Sequence, residues 1–129
     1  MNRGEFLRNM FGGIALSFVP KLEAKAITEQ KLLQCFVAGF SYYNGPQLLD
    51  SMEIGNVIKL VREPNNKYDE KAIALYLNNQ KIGFVPRIDN EVLSNIMDSN
   101  TLKLAAEISY INAKKSTWEQ VEIVINCIK

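Results

Sequence analysis

Two adjacent tyrosines, Tyr42 and Tyr43, are the residues of this sequence best suited to bind a flat ligand. They lie in the stretch SYYNGP, whose Asn-Gly-Pro composition indicates a loop. Aromatic faces displayed in a loop can stack on nucleobases, which contributes roughly 1–3 kcal/mol per base. In the alternative interpretation, one ring caps the core and the other lies on the surface.

Asp69 and three basic residues offer polar contacts to the same kind of ligand. A carboxylate accepts a hydrogen bond from a free sugar hydroxyl and repels a phosphate, so Asp69 can favour the end of a strand over its interior. Asp69 equally suits a cap at a turn or at the start of a β-strand. Arg62, Lys67 and Arg87 are candidate phosphate contacts, and Arg87 lies where free helix amides help to hold an anion. Arg62 can instead pair with Glu63 or Asp69.

The sequence lacks the usual motifs of an enzyme or of a metal site. It has no histidine, no Gly-x-Ser-x-Gly motif and no glycine-rich phosphate loop followed by Lys and Ser or Thr. Cys35 and Cys127 are too far apart in sequence for a zinc site of ordinary ligand spacing. We therefore expect no catalytic activity, no metal and no cofactor. The two cysteines are either buried thiols or, in an exported protein, a disulfide.

Length and charge limit the size of any nucleic-acid contact. The chain has 129 residues, which suits one domain. Its 15 basic residues nearly balance 14 acidic ones, giving a net charge of +1. A long polyanion would find no strong electrostatic footprint on such a surface. Any nucleic-acid contact must therefore be local.

The loop that carries Asp69 connects two apolar segments, residues 57–61 and 72–77, which read as buried strands. Between them, Pro64 fixes its own φ angle and removes an amide donor. Asn66 tolerates unusual backbone angles and can bond its own main chain. We therefore expect this loop to hold one shape.

The other elements follow from alternating and helical patterns of apolar residues. Alternation predicts strands within 29–39, 101–111 and 118–128, and Asn78-Asn79-Gln80 predicts a hairpin turn into a strand at 81–86. Helical spacing predicts a helix from about residue 90 to 99, capped by Asp89. Residues 47–55 form either a helical turn or a packed loop. About six short strands with one or two short helices favour a mainly β fold, a small barrel.

Four motifs in this order resemble the HIRAN domain family. They are GFSYYNG at 39–45, VIKLVREPNNKYD at 57–69, EKAI at 70–73 and KIGFVP at 81–86. The resemblance covers about residues 33 to 128, and we interpret 27–129 as one HIRAN domain. It implies an OB-like β-barrel, as at the N-terminus of helicase-like transcription factor and in stand-alone bacterial proteins. It also implies a module that binds single-stranded DNA, at its 3′ end, without catalytic activity.

The resemblance implies a specific site on the residues that match the family's motifs. The predicted nucleic-acid-binding residues are Tyr42, Tyr43, Asn66, Lys67, Asp69 and Arg87. The tyrosines and Asp69 would hold the terminal nucleotides, and Arg87 would contact the backbone. Ser41 stands where eukaryotic members have a basic residue, which removes one expected contact. A helicase or nuclease encoded elsewhere is a further expected partner.

Residues 1–26 differ from the rest of the chain. A basic start at Arg3, an apolar stretch at 10–19 and Ala-Lys-Ala at 24–26 resemble an export leader. Gly4 occupies the place of the second arginine of a twin-arginine leader. The alternative is an amphipathic helix that packs on the barrel or on a membrane surface through residues 1–20. The apolar stretch is too short to span a bilayer comfortably.

These two interpretations of the N-terminus predict different locations and functions. A helix predicts a cytoplasmic protein, whereas a cleaved leader predicts a periplasmic or envelope protein. An exported protein would not ordinarily meet replicating DNA. The alternative function is therefore an envelope-associated HIRAN-fold module that binds a non-nucleic-acid ligand or a protein partner.

Overall fold

A six-stranded antiparallel sheet dominates the computed structural model, which describes residues 29–128. The strands are β1 (Glu29–Phe36), β2 (Val57–Arg62), β3 (Ile73–Leu77), β4 (Gln80–Phe84), β5 (Lys103–Ile111) and β6 (Val121–Ile128). Their order in the sheet is β1-β6-β5-β2-β3-β4. The prediction of a mainly β fold is confirmed. The predicted leader or helix at 1–26 lies outside the described residues.

Two helices and three 3-10 turns connect the strands. The helices are α1 (Gly45–Leu48) and α2 (Arg87–Ser99). The 3-10 turns are Phe40–Tyr42, Leu49–Ser51 and Thr117–Glu119. Of the two alternatives for residues 47–55, the helical turn is therefore the one that forms.

The two edges of the sheet meet at a single residue pair. Directly after β1, Ala38 exchanges two backbone hydrogen bonds with Phe84 of β4, both of 2.8 Å. Gly83, beside this pair, has a φ of 151°, and a Cβ there would overlap the carbonyl oxygen of Ala38. The sheet curls into a barrel-like, OB-type shape but does not close, because β1 and β4 share no continuous ladder.

The core lies inside this curved sheet and follows the alternation of the strands. Ile123 and Ile125 of β6, Ile108 of β5 and Leu75 of β3 are fully buried. Burial of each such side chain contributes about 1.5–3 kcal/mol. The β3–β4 hairpin turns at Asn78-Asn79, whose φ angles are both positive, at 50° and 68°. Asparagine tolerates this conformation, which a two-residue hairpin of this kind requires.

Both cysteines are buried free thiols. In the β1–β6 register Cys127 lies opposite Gln30, whereas Cys35 lies opposite Ile123. The two thiols are thus roughly 15 Å apart along the strand at about 3.3 Å per residue, too far for a disulfide. Burial, reinforced by two nearby carboxylates, raises the pKa of Cys35 to about 12. The buried-thiol alternative is the correct one.

Helix α2 begins earlier than the sequence pattern predicts. It starts at Arg87, and its N-cap is Pro86, with no side-chain cap. The prediction of Asp89 as the cap was wrong, because the extended backbone of Pro86 starts the helix and its carbonyl accepts the amide of Asp89 at 3.0 Å. The start of α2 therefore lies beside β4.

Arg62 anchors α2 to the sheet. Its Nε and Nη2 donate to the two carboxylate oxygens of Asp98 at 2.9 and 3.1 Å, and its Nη1 donates to the carbonyl of Ala72 at 2.8 Å. Such a bidentate pair fixes orientation as well as distance. The structural alternative for Arg62 is supported, but its partner is Asp98 and not Glu63 or Asp69.

Gly83→Ala tests how tightly the two sheet edges are held together. We expect the free energy of unfolding to fall by about 2–3 kcal/mol, because the added methyl overlaps the Ala38 carbonyl and the Val37 side chain. Urea unfolding followed by far-UV circular dichroism measures this loss.

Gly55→Ala is the matched control for this variant. Gly55 also has a positive φ, of 98°, but the space around its Cβ position is open. Only backbone strain is expected there, about 1 kcal/mol. Equal losses in the two variants would contradict a tight approach of β4 to the chain after β1.

Candidate functional site

A cavity of about 220 Å³ lies between the β2–β3 loop, the turn after β1 and the start of α2. Four of the six predicted site residues line it, namely Tyr43, Asn66, Asp69 and Arg87. The other lining residues are Ala38, Gly39, Tyr68, Ala72, Phe84, Val85 and Asn90. Tyr42 and Lys67 lie outside the lining, on exposed positions beside it. The fold thus brings together residues from three separate segments of the chain.

The β2–β3 loop is held by its own side chains. The Oδ1 of Asn66 accepts the amides of Tyr68 and Asp69 at 2.9 and 3.1 Å, and its Nδ2 donates to Glu63 at 2.9 Å. The amide of Glu63 donates to the carbonyl of Ala72 at 3.0 Å, which joins the two ends of the loop. The polar side chains therefore replace a regular ladder, as the sequence predicts for this loop.

The carboxylate of Asp69 is charged and oriented. Its Oδ2 accepts the amide of the buried Asn90 side chain at 2.8 Å, and its Oδ1 accepts the backbone amide of Lys71 at 2.9 Å. These two bonds, the Asn90 bond foremost, hold the pKa of Asp69 below its ordinary value. A carboxylate offers about four acceptor sites, so it keeps capacity for a donor from a ligand.

Arg87 lies at the mouth of the cavity as the first residue of α2. One nitrogen, Nη2, donates to the carbonyl of Tyr68 at 2.9 Å, and Nε is 3.6 Å from the Oδ2 of Asp69. The side chain is 74% exposed, against 22% for that of Asp69. The guanidinium is therefore held at one edge and open to solvent at the other, beside the positive end of the helix dipole.

Lys81 connects the β2–β3 loop to an aromatic wall formed by the rings of Tyr43 and Phe84, and sequence reasoning missed it. Its Nζ lies 2.8 Å from the carboxylate of Glu63, and 4.9 and 4.3 Å from the ring centroids of Tyr43 and Phe84. The two rings meet edge to face with centroids 5.5 Å apart. Burial has the largest single effect on the Glu63 carboxyl and acts to raise its pKa. The hydrogen bonds from Lys81 and Asn66 together outweigh burial, so the pKa of Glu63 is lowered. No sequence signal connects Lys81 to Glu63, because only the strand register brings them together.

In the described part of the chain, three aromatic side chains are strongly exposed, one in the cavity lining and two on 3-10 turns. Tyr42 is 84% exposed, Tyr68 77% and Trp118 66%. The 3-10 turn of Trp118 packs against the 3-10 turn of Tyr42. The Nζ of Lys67 lies 5.3 Å from the Tyr68 ring centroid. Sequence reasoning missed Tyr68 and Trp118, although Tyr68 stands in the same Tyr-Asp pair as Asp69.

Residues 29–128 contain neither a helix suited to crossing a membrane nor a cluster of metal ligands. None of the helices there has the length and apolar character needed to cross a membrane. No cluster of three or more His, Cys, Asp or Glu side chains in that part of the chain can hold a metal ion.

Comparison with protein families identifies the domain. The model of the HIRAN domain family matches residues 30–126. The chain belongs to the HIRAN domain family. This is a family of binding domains, known for binding nucleic acid and in particular DNA. No curated protein matches the chain.

Two solved structures share this HIRAN fold. A protein from Lactobacillus plantarum is 22% identical and superimposes with a TM-score of 0.68, over 78% of this chain and 96% of that protein. The HIRAN domain of human HLTF is 20% identical, with a TM-score of 0.58 over 78% of this chain and 77% of that domain. At these identities the likeness shows the shared fold alone.

Lys81→Met tests whether Lys81 holds the loop in place. The variant keeps the apolar stem and removes the charge, so it loses the Glu63 ion pair and two cation–π contacts. We expect the unfolding free energy to fall by about 1–2 kcal/mol and the Tyr68 and Asp69 amides to exchange faster. Amide hydrogen exchange by NMR measures both effects.

Lys59→Met is the control, since Lys59 is an exposed lysine on β2, outside the cavity lining. It should leave exchange at Tyr68 and Asp69 unchanged. Unchanged exchange in the Lys81 variant as well would mean that the loop is held by Asn66 alone.

Proposed function

We propose that this HIRAN domain binds single-stranded DNA and recognises its 3′ end in the cavity lined by Tyr43, Asp69 and Arg87. The observation that carries the proposal is the pairing of an oriented, ionised carboxylate with an exposed guanidinium in a cavity with aromatic walls. Membership of a family known for binding nucleic acid supports the class of ligand.

Asp69 provides the proposed selectivity for a strand end. A free 3′-hydroxyl donates a hydrogen bond to a carboxylate, whereas a phosphate at the same place is repelled by it. Strand interiors and 3′-phosphorylated ends carry that phosphate. The cavity volume of about 220 Å³ also suits a terminal unit better than a longer segment. Both features favour an end over an interior.

Phosphate contacts are expected to be few. Arg87 is largely exposed at the mouth, and Lys67 is exposed beside the Tyr68 ring. The net charge of +1 adds little long-range attraction. We therefore expect modest affinity and a shallow salt dependence, with a log–log slope of roughly 1 to 3 in magnitude.

The exposed aromatic residues supply the proposed stacking surfaces. The strongly exposed Tyr68 lines the cavity, the strongly exposed Tyr42 precedes the lining residue Tyr43, and the turn of Trp118 contacts the turn of Tyr42. Bases that leave the cavity can stack on these rings without sequence selection. Asn66, in contrast, contributes by shaping the loop, since its side chain is already bonded to that loop. We propose no catalytic step, and any helicase or nuclease activity would come from a separate partner.

The proposed end recognition is tested with two oligonucleotides that differ only at the 3′ end. We expect the full chain to bind a 5′-labelled single strand with a free 3′-hydroxyl about tenfold more tightly than its 3′-phosphorylated form, a difference of about 1.4 kcal/mol. Asp69→Asn should bring the two affinities towards equality, because a neutral amide does not repel the phosphate. Fluorescence anisotropy at low salt measures both.

Asp50→Asn is the matched control, since Asp50 is exposed and outside the cavity lining. It should keep the wild-type preference. Equal binding of the two oligonucleotides by the wild type would contradict end recognition but leave strand binding standing. If neither binds, the nucleic-acid proposal fails, and the envelope-associated binding module becomes the working hypothesis.

The stacking proposal is tested on the two exposed tyrosines. Tyr42→Leu and Tyr68→Leu should each weaken binding about 5- to 150-fold, because each removes one base–aromatic stack of roughly 1–3 kcal/mol. Tyr110→Leu, which changes a tyrosine on another face, should have no effect. Wild-type affinity in both the Tyr42 and the Tyr68 variant, or an equal loss in Tyr110→Leu, would refute stacking at these positions. Anisotropy titrations with the same oligonucleotide give the affinities.

A further inference from the structure

A second cavity, of about 280 Å³, opens on the outer face of β1, β6 and β5. In the register of these strands, Phe36 and Tyr110 both lie opposite Glu122. Directly opposed residues of a sheet point to the same side, so the side chains of Phe36, Glu122 and Tyr110 form one row across this face, with Glu122 in the middle. Lys115 and Glu119 of the β5–β6 loop complete the lining.

The β5–β6 loop is fixed beside this row by its own hydrogen bonds. The amide of Asn112 donates to the carbonyl of Gln120 at 2.8 Å, and the Gln120 side chain donates to the carbonyl of Ala113 at 3.0 Å. The side-chain amide of Asn112 donates to the Tyr110 hydroxyl at 3.0 Å, which orients that ring. The loop side of the cavity is therefore shaped by hydrogen bonds of the chain itself.

The charge of the lining favours a cation. Two carboxylates face one ammonium group, which leaves a net charge of −1. The ion pairs between residues 29 and 128 are Arg62–Asp98, Lys81–Glu63 and Arg87–Asp69. Within that part of the chain, neither Glu119 nor Glu122 therefore forms an ion pair with a basic side chain. Phe36 and Tyr110 are also 36% and 39% exposed, so their rings are accessible.

We propose that this second cavity binds an arginine side chain presented by a partner protein. A guanidinium stacks on aromatic faces and donates through a planar pair of N–H groups to a carboxylate. Phe36 and Tyr110 provide the faces, and Glu122 between them provides the carboxylate. The volume lies just below the roughly 300–1,000 Å³ of pockets for drug-sized ligands, which suits a single side chain.

This site is independent of the proposed DNA-binding cavity. Glu119 and Glu122 would repel a phosphate, so a DNA strand is not expected to enter. None of the five lining residues lines the first cavity. A HIRAN domain with both sites would hold a nucleic acid on one face and a basic segment of a protein on another.

The test is an NMR titration of the full chain with the tripeptide acetyl-Gly-Arg-Gly-amide. We expect saturable shifts of the Phe36, Tyr110 and Glu122 amides, and none with the analogue in which citrulline replaces arginine. Citrulline keeps the shape and loses the charge, so it isolates the guanidinium. Glu122→Gln should weaken binding at least about fivefold, because the charge-assisted hydrogen bonds are lost.

Glu107→Gln is the matched control, since Glu107 lies on β5 opposite Val124 and outside the cavity lining. It should leave the peptide affinity unchanged, as should Asp69→Asn. The amide spectrum of each variant verifies folding. The inference is overturned by no shift at about 20 mM peptide, a concentration that detects even millimolar binding. Equal shifts with citrulline, an equal loss in Glu107→Gln, or displacement of the peptide by a single-stranded oligonucleotide would overturn it too.

Discussion

The backbone pairing of Ala38 with Phe84 is the contact on which the candidate site depends. It brings β4 against the chain that leaves β1, so that the ring of Phe84 meets the ring of Tyr43. Residues far apart in sequence then share one cavity wall. The pairing requires a residue without a side chain at Gly83, because a Cβ there would overlap the Ala38 carbonyl. The positions of the site's side chains therefore depend on this backbone constraint at Gly83.

Beyond the ends of the strands, polar side chains hold the loops of the site in place. Asn66 bonds the amides of its own loop, Asn90 orients the carboxylate of Asp69, and Lys81 connects Glu63 to the aromatic wall. Each of these groups is partly or fully buried, so each needs its partner to avoid a desolvation cost. Charge is thus concentrated at one place in a chain whose overall charge is nearly zero. The proposed contact with an anionic ligand rests on this local group of charged side chains.

Several elements of the fold could be predicted from local pattern. Strand alternation identified β1, β5 and β6, and Asn78-Asn79 identified the hairpin between β3 and β4. The start of α2 could not be predicted from local pattern. Asp89 is a favourable cap by residue type, but the backbone that leaves β4 already starts the helix at Pro86. The partner of Arg62 was also missed, since Asp98 lies 36 residues away on the far end of that helix. Contacts between residues so far apart in the chain produce no pattern in the local sequence.

The sequence by itself determined the mainly β character, the HIRAN motifs and the chemistry available to the site, because residue type and spacing carry these directly. Only the tertiary structure decided that Tyr43, Asn66, Asp69 and Arg87 share one cavity while Tyr42 and Lys67 lie beside it. It also decided which side chains orient them, the amide of Asn90 and the ammonium of Lys81. The physical reason is that cavities and hydrogen-bond partners depend on strand register and sheet curvature, which arise from packing across the whole domain.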